Sequence, residues 1–348
     1  MQPRHRIRLV AAALVGALCA TLPVQAQEVT LKVAHFWAPG AMAPTKVIAP
    51  WCDKINKESG GKLKCQMYPA MQLGGTPAQL FDQARDGVAD IVYTLPGYTA
   101  GRFPLVEVFE PPFLTANAEA SSQAVWEYYL TTPAVQKELA GVKPLMLHTH
   151  DKGYVHTKDK QIKTLADFEG LKMRAPTRQT NKLLAKLGAT PVAMPLPAVP
   201  EAMSKGVIDG FLLPWEVIPS VKLQELTKYD TETDPKERTL YTAVFLMAMN
   251  PAKYESLPPE LKKVIDNNSG AALARQTGRT WDESATAGRK AAEDHKNVFY
   301  TVPSSELANW RNASASLYDE WVADVTAKGN DGKAMLSKAQ SLIQKYEK

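Results

Sequence analysis

The sequence predicts an α/β protein of two lobes, each a mostly parallel sheet flanked by helices, with a long C-terminal helix bracing both lobes. Strand-like and helix-like segments alternate from residue 29 to residue 209, and the alternation runs through a similar order twice. About 320 residues follow an N-terminal leader, which is enough for two lobes with separate cores.

Each of the two units alternates strands with helices, which is typical of a parallel sheet. In the first unit we expect a strand at residues 29–34, a helix at 45–58, a strand at 63–67, a helix at 76–87 and a strand at 88–93. In the second we expect a strand at 171–175, a helix at 180–187, a strand at 190–194, a short helix at 200–205 and a strand from 206. Thr76 and Gln79 predict a capping box at the start of one of these helices.

Two four-residue segments occupy the same place in the two units. Gly87-Val88-Ala89-Asp90 and Gly206-Val207-Ile208-Asp209 each end a helix and lead into a strand. The likeness indicates two lobes of related build, and chance similarity of two short segments is the alternative.

The last third of the chain has a different pattern. A helical stretch from Pro259 to Asn297 is longer than an ordinary globular helix, so it can reach across both lobes. The apolar run from Tyr241 to Met249 predicts a strand that returns to the first lobe. The predicted division is a signal peptide at 1–26, lobe I at 27–150 plus about 236–258, lobe II at 151–235, and the long helix with further helices at 259–348.

The N-terminus has the pattern of a cleavable secretory signal peptide. Arg4, Arg6 and Arg8 form a basic patch. The apolar run that follows, residues 9–22, is too short to span a bilayer, and small residues come next at Val24-Gln25-Ala26. We therefore expect export to the periplasm.

The charge balance after cleavage excludes two function classes. Cleavage removes three of the 41 basic residues and none of the 36 acidic ones, so the net charge falls from +5 to +2. No basic stripe is left to bind nucleic acid, and no second apolar span predicts stable membrane insertion.

Two cysteines remain in the mature chain, Cys52 and Cys65. Because an exported protein meets an oxidising compartment, we expect a disulfide that ties the first helix to the following strand. Two buried free thiols are the alternative. No cysteine and histidine spacing is typical of a metal site, and no cofactor is predicted.

Six segments, in a specific order and spacing, point to a known family. They are Gln72-Leu73-Gly74-Gly75, Gly87-Val88-Ala89-Asp90, Pro112-Phe113-Leu114, Gly170-Leu171-Lys172-Met173-Arg174-Ala175-Pro176, Leu187-Gly188-Ala189-Thr190-Pro191-Val192 and Gly206-Val207-Ile208-Asp209-Gly210. With them the chain resembles the substrate-binding proteins of TRAP transporters, the DctP type, over nearly all of residues 29–325. The resemblance implies a periplasmic-binding-protein fold that closes around a ligand between its lobes. It also implies a receptor that delivers a small organic acid to membrane permease subunits. We expect the receptor to be a monomer.

Arg174 is the central candidate for ligand binding. It lies near the end of a predicted strand, where α/β sheets place their binding crevices. A guanidinium is planar and always charged, so it can hold a carboxylate through two parallel hydrogen bonds. In the DctP-type family the arginine at this position of the segment pairs with the ligand carboxylate. A structural salt bridge on a lobe face is the alternative.

Two departures from the family pattern bear on the ligand. Tyr154 stands where many members carry a second arginine, and Leu213 stands where an asparagine is usual. Without that cation and that amide, a second ligand carboxylate would be buried unpaired, at a cost of several kcal/mol. Leu213 and Trp215 instead favour an apolar or aromatic ligand body, unless they only pack the hinge.

The predicted ligand is therefore a monocarboxylate with an apolar or aromatic part, such as a 2-oxo or 2-hydroxy acid. A C4-dicarboxylate, the ligand that gives the DctP type its name, is the alternative. Glu216, which follows Trp215, is expected to be an internal ion-pair partner rather than a ligand contact.

The remaining ligand-binding candidates lie at the ends of predicted strands or in nearby loops. They are His35, Trp37, Tyr93, Arg102 and His150. Arg102 could equally be a solvated loop arginine. His148 and His150 share one face of a strand, but no carboxylate or cysteine partner at matching spacing supports a metal pair.

An enzyme on the same scaffold is the main competing hypothesis. The sequence has no Gly-x-Ser-x-Gly elbow, no Walker-type phosphate loop and no dinucleotide glycine fingerprint, and no nucleophile and base can be nominated. The prediction is therefore a binding protein rather than an enzyme. A sensor that reports the same ligand to a signalling receptor is a third possibility.

Overall fold

Two β-sheets organise the chain. The computed structural model describes residues 28–348, so the signal peptide predicted at residues 1–26 lies outside the described residues. The strands are β1 (Val29–His35), β2 (Leu63–Tyr68), β3 (Ile91–Thr94), β4 (Lys143–Thr149), β5 (Gly153–Thr157), β6 (Lys172–Ala175), β7 (Thr190–Ala193), β8 (Gly210–Pro214), β9 (Tyr229–Thr233), β10 (Val244–Met249) and β11 (Val298–Val302).

Helices pack around the sheets. They are α1 (Ala49–Glu58), α2 (Leu80–Arg85), α3 (Ala118–Thr131), α4 (Pro133–Glu138), α5 (Arg178–Lys186), α6 (Val199–Ser204), α7 (Pro251–Glu255), α8 (Pro259–Asn267), α9 (Ala271–Asp294), α10 (Ser304–Ser314), α11 (Ser316–Thr326) and α12 (Gly332–Tyr346). Short 3-10 turns connect these elements, and a π-helical turn at Ala43–Ile48 leads into α1. The predicted capping box of Thr76 and Gln79 is confirmed, at a 3-10 turn that runs into α2.

The first lobe is built on a five-stranded sheet in the order β2-β1-β3-β10-β4. Strands β1, β2 and β3 are parallel, whereas β10 runs antiparallel to both β3 and β4. The predicted strand that returns to the first lobe is confirmed as β10, which starts at Val244.

The second lobe is built on a six-stranded sheet in the order β11-β9-β5-β8-β6-β7. Here β6, β7 and β8 are parallel, but β5 runs antiparallel to β8 and β9. Among the described strands, only β10 in the first sheet and β5 in the second oppose the direction of the others, so the prediction of mostly parallel sheets is confirmed. The two reversed strands are those that follow the direct crossings between the lobes: β5 comes after β4, and β10 comes after β9.

The two glycine-to-aspartate segments have the same structural role, as predicted. The Asp90 carboxylate accepts a hydrogen bond from the backbone N–H of Lys32 at 2.8 Å, and its own N–H donates to the Lys32 carbonyl. The Asp209 carboxylate accepts from the N–H of Lys172, also at 2.8 Å, with the same return bond. Each aspartate therefore extends the backbone pairing of its strand beside the equivalent strand of its own lobe.

A disulfide staples one edge of the first lobe. Cys52 on α1 is bonded to Cys65 on β2, with 5.8 Å between their Cα atoms. A bond that closes a loop of this kind restricts the unfolded chain and holds α1 against the edge strand.

The predicted long helix is broken, which corrects the sequence interpretation of residues 259–297. Helix α8 ends at Asn267 and α9 begins at Ala271. Gly270 between them has φ 81°, a left-handed conformation that suits glycine, and its N–H donates to the carbonyl of Leu145 on β4 at 2.7 Å. The backbone therefore leaves the helical path to bond with the first sheet.

Helix α9 nevertheless braces both lobes. On the first lobe, Asp282 accepts hydrogen bonds from two backbone N–H groups at the start of α3, each at 2.9 Å. Towards the second lobe, Gly288 lies so close to the turn after β8 that a methyl group there would sit 1.8 Å from the Trp215 carbonyl oxygen. A 24-residue helix about 36 Å long can span this distance.

The C-terminal segment adds one strand that the sequence did not predict. Residues 259–348 were expected to be helical, but Val298–Val302 forms β11, parallel to β9 at the edge of the second sheet. The burial of these five residues does not alternate between the two faces, so the segment lacks the period-two pattern that marks a half-buried strand. Trp310 and Leu317 then join the core of the second lobe, while α12 packs on α3 of the first.

Candidate functional site

A cavity lies between the two lobes. It contains about 360 Å³ of empty space, part of it continuous with solvent. Ten apolar residues line it: Phe36, Trp37, Leu95, Pro176, Leu196, Leu213, Pro214, Val217, Ala243 and Phe245. Five polar residues complete the wall: Tyr98, His150, Arg174, Glu216 and Tyr241. One formal cation therefore faces a wall that is otherwise mainly apolar.

The lining residues follow from where the strands end. Phe36 comes directly after β1, Leu95 directly after β3 and Pro176 directly after β6, and all three strands are parallel within their sheets. Ala243 comes directly before β10, which is antiparallel to β3, so the start of β10 meets the end of β3. The cavity thus occupies the crevice at the carboxyl edge of the parallel strands, the usual place for a ligand in an open α/β sheet.

Arg174 projects from β6 and is 1% exposed. Its Nε donates to the Met194 carbonyl at 3.0 Å, and Nη1 donates to the Leu212 carbonyl at 3.1 Å. Burial lowers the pKa of the guanidinium, and the neighbouring phenols of Tyr98 and Tyr241 act in the opposite direction. The backbone of two adjacent segments therefore fixes the orientation of the side chain.

Arg174 has no carboxylate partner within salt-bridge distance among residues 28–348. Other shielded arginines do have one: Arg178 lies 2.6 Å from a Glu107 oxygen, and Arg102 lies 2.6 Å from an Asp82 oxygen. A buried cation without a counter-charge is costly, so this arrangement favours an anion supplied from outside the chain.

Aromatic rings form the wall on the side of the first lobe. Trp37 stacks on Phe36 with ring centroids 4.0 Å apart, and on Phe245 at 5.7 Å. Tyr93 packs its edge against Trp37 from behind, at 4.8 Å. This layer offers a ligand flat apolar surfaces, and offset or edge-on ring packing adds to the gain from burial alone.

Two tyrosines add hydroxyl groups to the wall. The Tyr98 hydroxyl accepts a hydrogen bond from the Leu196 N–H at 3.1 Å, which joins the first lobe to the second. The Tyr241 hydroxyl is buried without a hydrogen-bond partner among the described residues. Its ring fits only because residue 153 is glycine, since a methyl group there would lie 2.0 Å from the ring. The Tyr241 hydroxyl is therefore free to bond with a ligand.

A buried carboxyl pair lies beside the cavity where the lobes meet. Burial raises the pKa of Glu216 to about 7. Burial, followed by repulsion from Glu216, raises the pKa of Asp151 well above its usual range. Burial and the neighbouring carboxyl therefore favour the protonated form of Asp151 beside Glu216. Glu216 has no basic partner within residues 28–348, which corrects the sequence interpretation of it as an ion-pair residue.

Sequence similarity places the chain in a known family. A family model described as bacterial extracellular solute-binding protein, family 7 (DctP), matches residues 33–324. The chain belongs to this family. The predicted resemblance to DctP-type TRAP receptors is thereby confirmed.

Three solved structures illustrate the similarity of this family 7 protein to its relatives. A TRAP solute-binding protein from Rhodoferax ferrireducens T118, in complex with copurified benzoate, is 52% identical over 92% of this chain and 98% of its own, with a TM-score of 0.90. A marine metagenome TRAP protein specific for aromatic acid ligands, with 3-hydroxybenzoate, is 48% identical over 92% and 100%, with a TM-score of 0.90. A Bordetella bronchiseptica TRAP protein with (R)- and (S)-mandelate is 28% identical over 91% and 99%, with a TM-score of 0.84.

Membership of the family separates two of the competing hypotheses. Family 7 proteins are solute receptors, so the prediction of a binding protein rather than an enzyme is confirmed. Within residues 28–348, no helix combines the length and the apolar character needed to cross a membrane.

Four of the nine ligand-binding residues predicted from sequence lie on the cavity wall of the family 7 protein. They are Arg174, Leu213, Trp37 and His150. Arg174 and Leu213 belong to the second lobe and Trp37 to the first, while His150 lies at the crossing between them. The structure therefore brings these four together although up to 176 residues separate them in sequence.

Trp215 and Tyr154 lie behind the wall rather than on it. The Trp215 indole N–H donates to Glu232 at 2.9 Å, and its ring packs 4.7 Å from that of His156. Tyr154 pairs opposite Leu213 across β5 and β8, and its ring lies 6.0 Å from that of Trp215. These contacts hold both aromatic side chains in the second lobe, and neither lines the cavity.

His35 and Tyr93 are buried under the aromatic layer. Burial lowers the pKa of His35 to about 4, and neither of its ring nitrogens has a partner among the described residues. The Tyr93 hydroxyl hydrogen bonds with Nε2 of His148, a buried histidine whose pKa burial lowers to about 3. These side chains support Trp37 from below and do not line the cavity.

Arg102 also lies away from the cavity. Its guanidinium donates two hydrogen bonds to Asp82, at 2.8 and 2.6 Å, and packs over the ring of Phe81. The charge of Arg102 is therefore matched within the first lobe, which leaves Arg174 as the single arginine on the cavity wall.

Sequence reasoning missed the two wall tyrosines, Tyr98 and Tyr241. Tyr98 follows β3 within the segment Pro96–Tyr98, so its distance from a strand end was an available signal. Tyr241 precedes β10, and it reaches the same edge only because β10 is antiparallel to β3. Strand direction cannot be read from an apolar run, so the sequence held no clear signal for Tyr241.

An ion pair closes the cleft of the receptor from outside the cavity. Glu107, on a 3-10 turn of the first lobe, is 2% exposed and accepts two hydrogen bonds from Arg178 of α5, at 3.0 and 2.6 Å. Gln179 donates a third at 3.0 Å. Since Glu107 and α5 belong to different lobes, these contacts exist only while the lobes are together.

We expect Glu107→Ala to shift the receptor towards an open form. The substitution removes three interlobe hydrogen bonds and should destabilise the closed form by about 1–3 kcal/mol. The loss stays in this range because Arg178 keeps its hydrogen bond to Asp324. Small-angle scattering of the ligand-free protein should then show a larger radius of gyration than that of the wild type. Glu119→Ala is the matched control, since Glu119 pairs with Arg275 and Arg279 without linking the two sheets; equal radii for the two variants would contradict the assignment.

Proposed function

We propose that this chain is the solute receptor of a TRAP transporter and captures an aromatic monocarboxylate. The observation that carries the proposal is the buried guanidinium of Arg174, which faces an aromatic and aliphatic cavity without a carboxylate partner among the described residues. An aromatic acid supplies the missing negative charge and an apolar body in one small molecule.

The Arg174 contact supports recognition of one carboxylate. Two of its five N–H groups donate to backbone carbonyls, which leaves one N–H on Nη1 and both on Nη2 for further acceptors such as a ligand carboxylate. Arginine donors fit carboxylate oxygens in geometry as well as in charge, and the low-dielectric surroundings strengthen the pair. The Tyr241 hydroxyl, which has no partner among the described residues, offers the carboxylate a further donor.

The composition of the wall argues against a C4-dicarboxylate. A second ligand carboxylate would need a second cation or several donors, and Arg174 is the single cation on the wall. Glu216 would instead place a partly ionised carboxyl beside it. An unpaired buried carboxylate costs several kcal/mol, so a ligand with two of them is disfavoured.

Relatives support an aromatic ligand independently of the geometry. The two structures at 52% and 48% identity carry benzoate and 3-hydroxybenzoate, and the one at 28% carries mandelate. All three ligands are aromatic monocarboxylates, and mandelate is also a 2-hydroxy acid. The apolar wall of Trp37, Phe245 and Leu213 has the character that such ring systems require.

Location and delivery complete the proposal. We propose that residues 1–26 direct export to the periplasm, where the receptor acts as a monomer and passes its ligand to the permease subunits of a TRAP transporter. Closure of the lobes would shield the acid until the receptor docks.

A ligand screen tests the proposed class. We expect benzoate, 3-hydroxybenzoate and mandelate to raise the midpoint of thermal unfolding more than succinate and malate do. A ligand at a hundredfold excess over its dissociation constant stabilises the folded form by about 2.7 kcal/mol. Succinate or malate giving the largest shift would refute the aromatic assignment. The acids should be recovered unchanged after hours of incubation, which an enzyme would not allow.

Arg174→Met should nearly abolish binding of any acid that the screen identifies. The substitution leaves a carboxylate buried without its cation, so we expect a loss of about 3–5 kcal/mol, or at least a hundredfold in affinity by calorimetry. Arg102→Met removes a comparable arginine whose partner is Asp82, away from the cavity, and should keep affinity within about twofold. A loss below tenfold in Arg174→Met would show that the carboxylate is anchored elsewhere.

Affinity for the acid should fall as pH rises through about 7. Glu216 is neutral below its pKa of about 7 and ionised above it, and an ionised carboxyl on the wall repels a ligand carboxylate. Calorimetry between about pH 6 and about pH 8.5 should show this trend in the wild type and a flat profile in Glu216→Gln. Glu138→Gln is the control, because burial also raises the pKa of Glu138 to about 7 but this residue lies outside the cavity. A profile that Glu216→Gln leaves unchanged would assign the titration to another group.

A further inference from the structure

His150 occupies a distinct position on the cavity wall. It follows β4 directly, at the first crossing from the first lobe to the second, and it is 4% exposed. Its ring meets the edge of the Tyr241 ring at 5.1 Å, so both side chains border the same part of the cavity. Arg174 lines the same cavity, so one small ligand can meet both residues, and the charge of Arg174 adds to burial in keeping His150 neutral.

The hydrogen bonds of His150 define which ring nitrogen carries the proton. Nδ1 lies 2.6 Å from the backbone carbonyl oxygen of Asp151. A carbonyl oxygen only accepts, so Nδ1 must be the nitrogen that carries hydrogen. Burial lowers the pKa of His150 to about 4, so the ring is neutral at physiological pH. Nε2 is therefore a bare lone pair, able to accept a hydrogen bond and unable to donate one.

His148, two residues earlier and within β4, shows the same arrangement, but its Nε2 already accepts a hydrogen bond. His148 holds its Nδ1 hydrogen on the Thr149 carbonyl at 2.9 Å, and its Nε2 accepts from the Tyr93 hydroxyl. His150 Nε2 has no such hydroxyl partner among residues 28–348. The two histidines thus have the same tautomer. The Nε2 of His148 accepts from the Tyr93 hydroxyl, whereas the Nε2 of His150 can accept from a hydroxyl of a ligand in the cavity.

We propose that His150 Nε2 accepts a hydrogen bond from a hydroxyl group of the ligand, so that hydroxylated aromatic acids are preferred over acids without a donor. The inference rests on the proposed function, since Arg174 must hold the carboxylate for the ligand to be placed in the cavity. The hydroxyl can belong to the ring, as in a hydroxybenzoate, or to the carbon beside the carboxylate, as in mandelate. In both cases the recognised chemistry is a neutral donor that meets a neutral acceptor.

Two pairs of acids test the preference and separate the two hydroxyl positions. Calorimetry compares 3-hydroxybenzoate with 3-fluorobenzoate, which has similar size but no donor, and mandelate with phenylacetate. The wild type should favour the hydroxylated member of at least one pair by about tenfold, the size expected for one buried hydrogen bond. The pair that shows the preference identifies the position of the hydroxyl. A ratio near one in both pairs overturns the inference.

A His150→Phe variant assigns the preference to this residue. Phenylalanine fills a similar space without an acceptor, so the ratio within the favoured pair should fall to about twofold or less, whatever happens to the absolute affinities. His295→Phe, at an exposed position, is the control and should keep the wild-type ratio. Retention of the full ratio in His150→Phe overturns the inference even when the acids themselves bind well.

Nitrogen NMR of the histidine-labelled wild type gives a measurement that needs no variant. The neutral Nδ1-protonated tautomer should be observed for His150, and the Nε2 signal should move when 3-hydroxybenzoate binds but not when 3-fluorobenzoate binds. A proton on Nε2 in the free protein overturns the inference. If none of the four acids binds the wild type, the proposed function fails together with it; if they bind without preference, the role of His150 alone fails.

Discussion

A guanidinium buried without a neighbouring carboxylate is the constraint on which the rest of the site depends. The Met194 and Leu212 carbonyls hold Arg174 in place but do not neutralise it, and no carboxylate of the described chain does so. Carbonyl dipoles offset part of the desolvation cost of the cation and leave its charge available. The apolar wall then increases the energy gained when an anion arrives, because charges attract more strongly where water is excluded. The folding free energy that is lost by burying an unpaired cation is therefore offset when the ligand carboxylate binds.

Closure of the lobes is what makes that burial possible. Arg174 is contributed by the second lobe and the aromatic layer of Phe36, Trp37 and Phe245 by the first, so the site is complete only when the two are together. The Tyr98 hydroxyl at Leu196 and the Glu107 carboxylate at Arg178 are contacts of this closed form. The Glu107 contact lies outside the cavity, whereas Tyr98 is also part of its wall. The free energy of closure can therefore be tuned at Glu107 separately from recognition, and a ligand shifts the equilibrium only by its preference for the closed form.

The sequence predicted the parts of this structure that depend on local patterns. Three of these parts are each specified by a few adjacent residues, so they could be predicted. They are the strand that carries Arg174, the capping box at Thr76, and the equivalent aspartates Asp90 and Asp209. The break at Gly270 was missed because it depends on a hydrogen bond to Leu145, more than a hundred residues away. Trp215 was placed on the wall from its neighbour Leu213, yet the turn after β8 directs its ring into the second lobe, where Glu232 receives the indole N–H. The conformation of such residues depends on contacts with distant segments and on the direction of the side chain. Neither can be predicted from one short stretch of sequence.

The polar groups of the cavity recognise a ligand in two ways, through the charge of Arg174 and through hydrogen bonds of uncharged groups. Arg174 selects acids as a class, since any carboxylate satisfies it. Discrimination among acids must come from groups whose hydrogen-bonding direction is fixed, and burial supplies such groups here by keeping His150 neutral with its proton on Nδ1. A site built to bond a hydroxyl rejects an analogue without it more strongly than an apolar pocket rejects an extra methylene, because the unmet polar group stays buried. A neutral acceptor placed near a single cation therefore gives selectivity without adding a charge that would oppose the carboxylate.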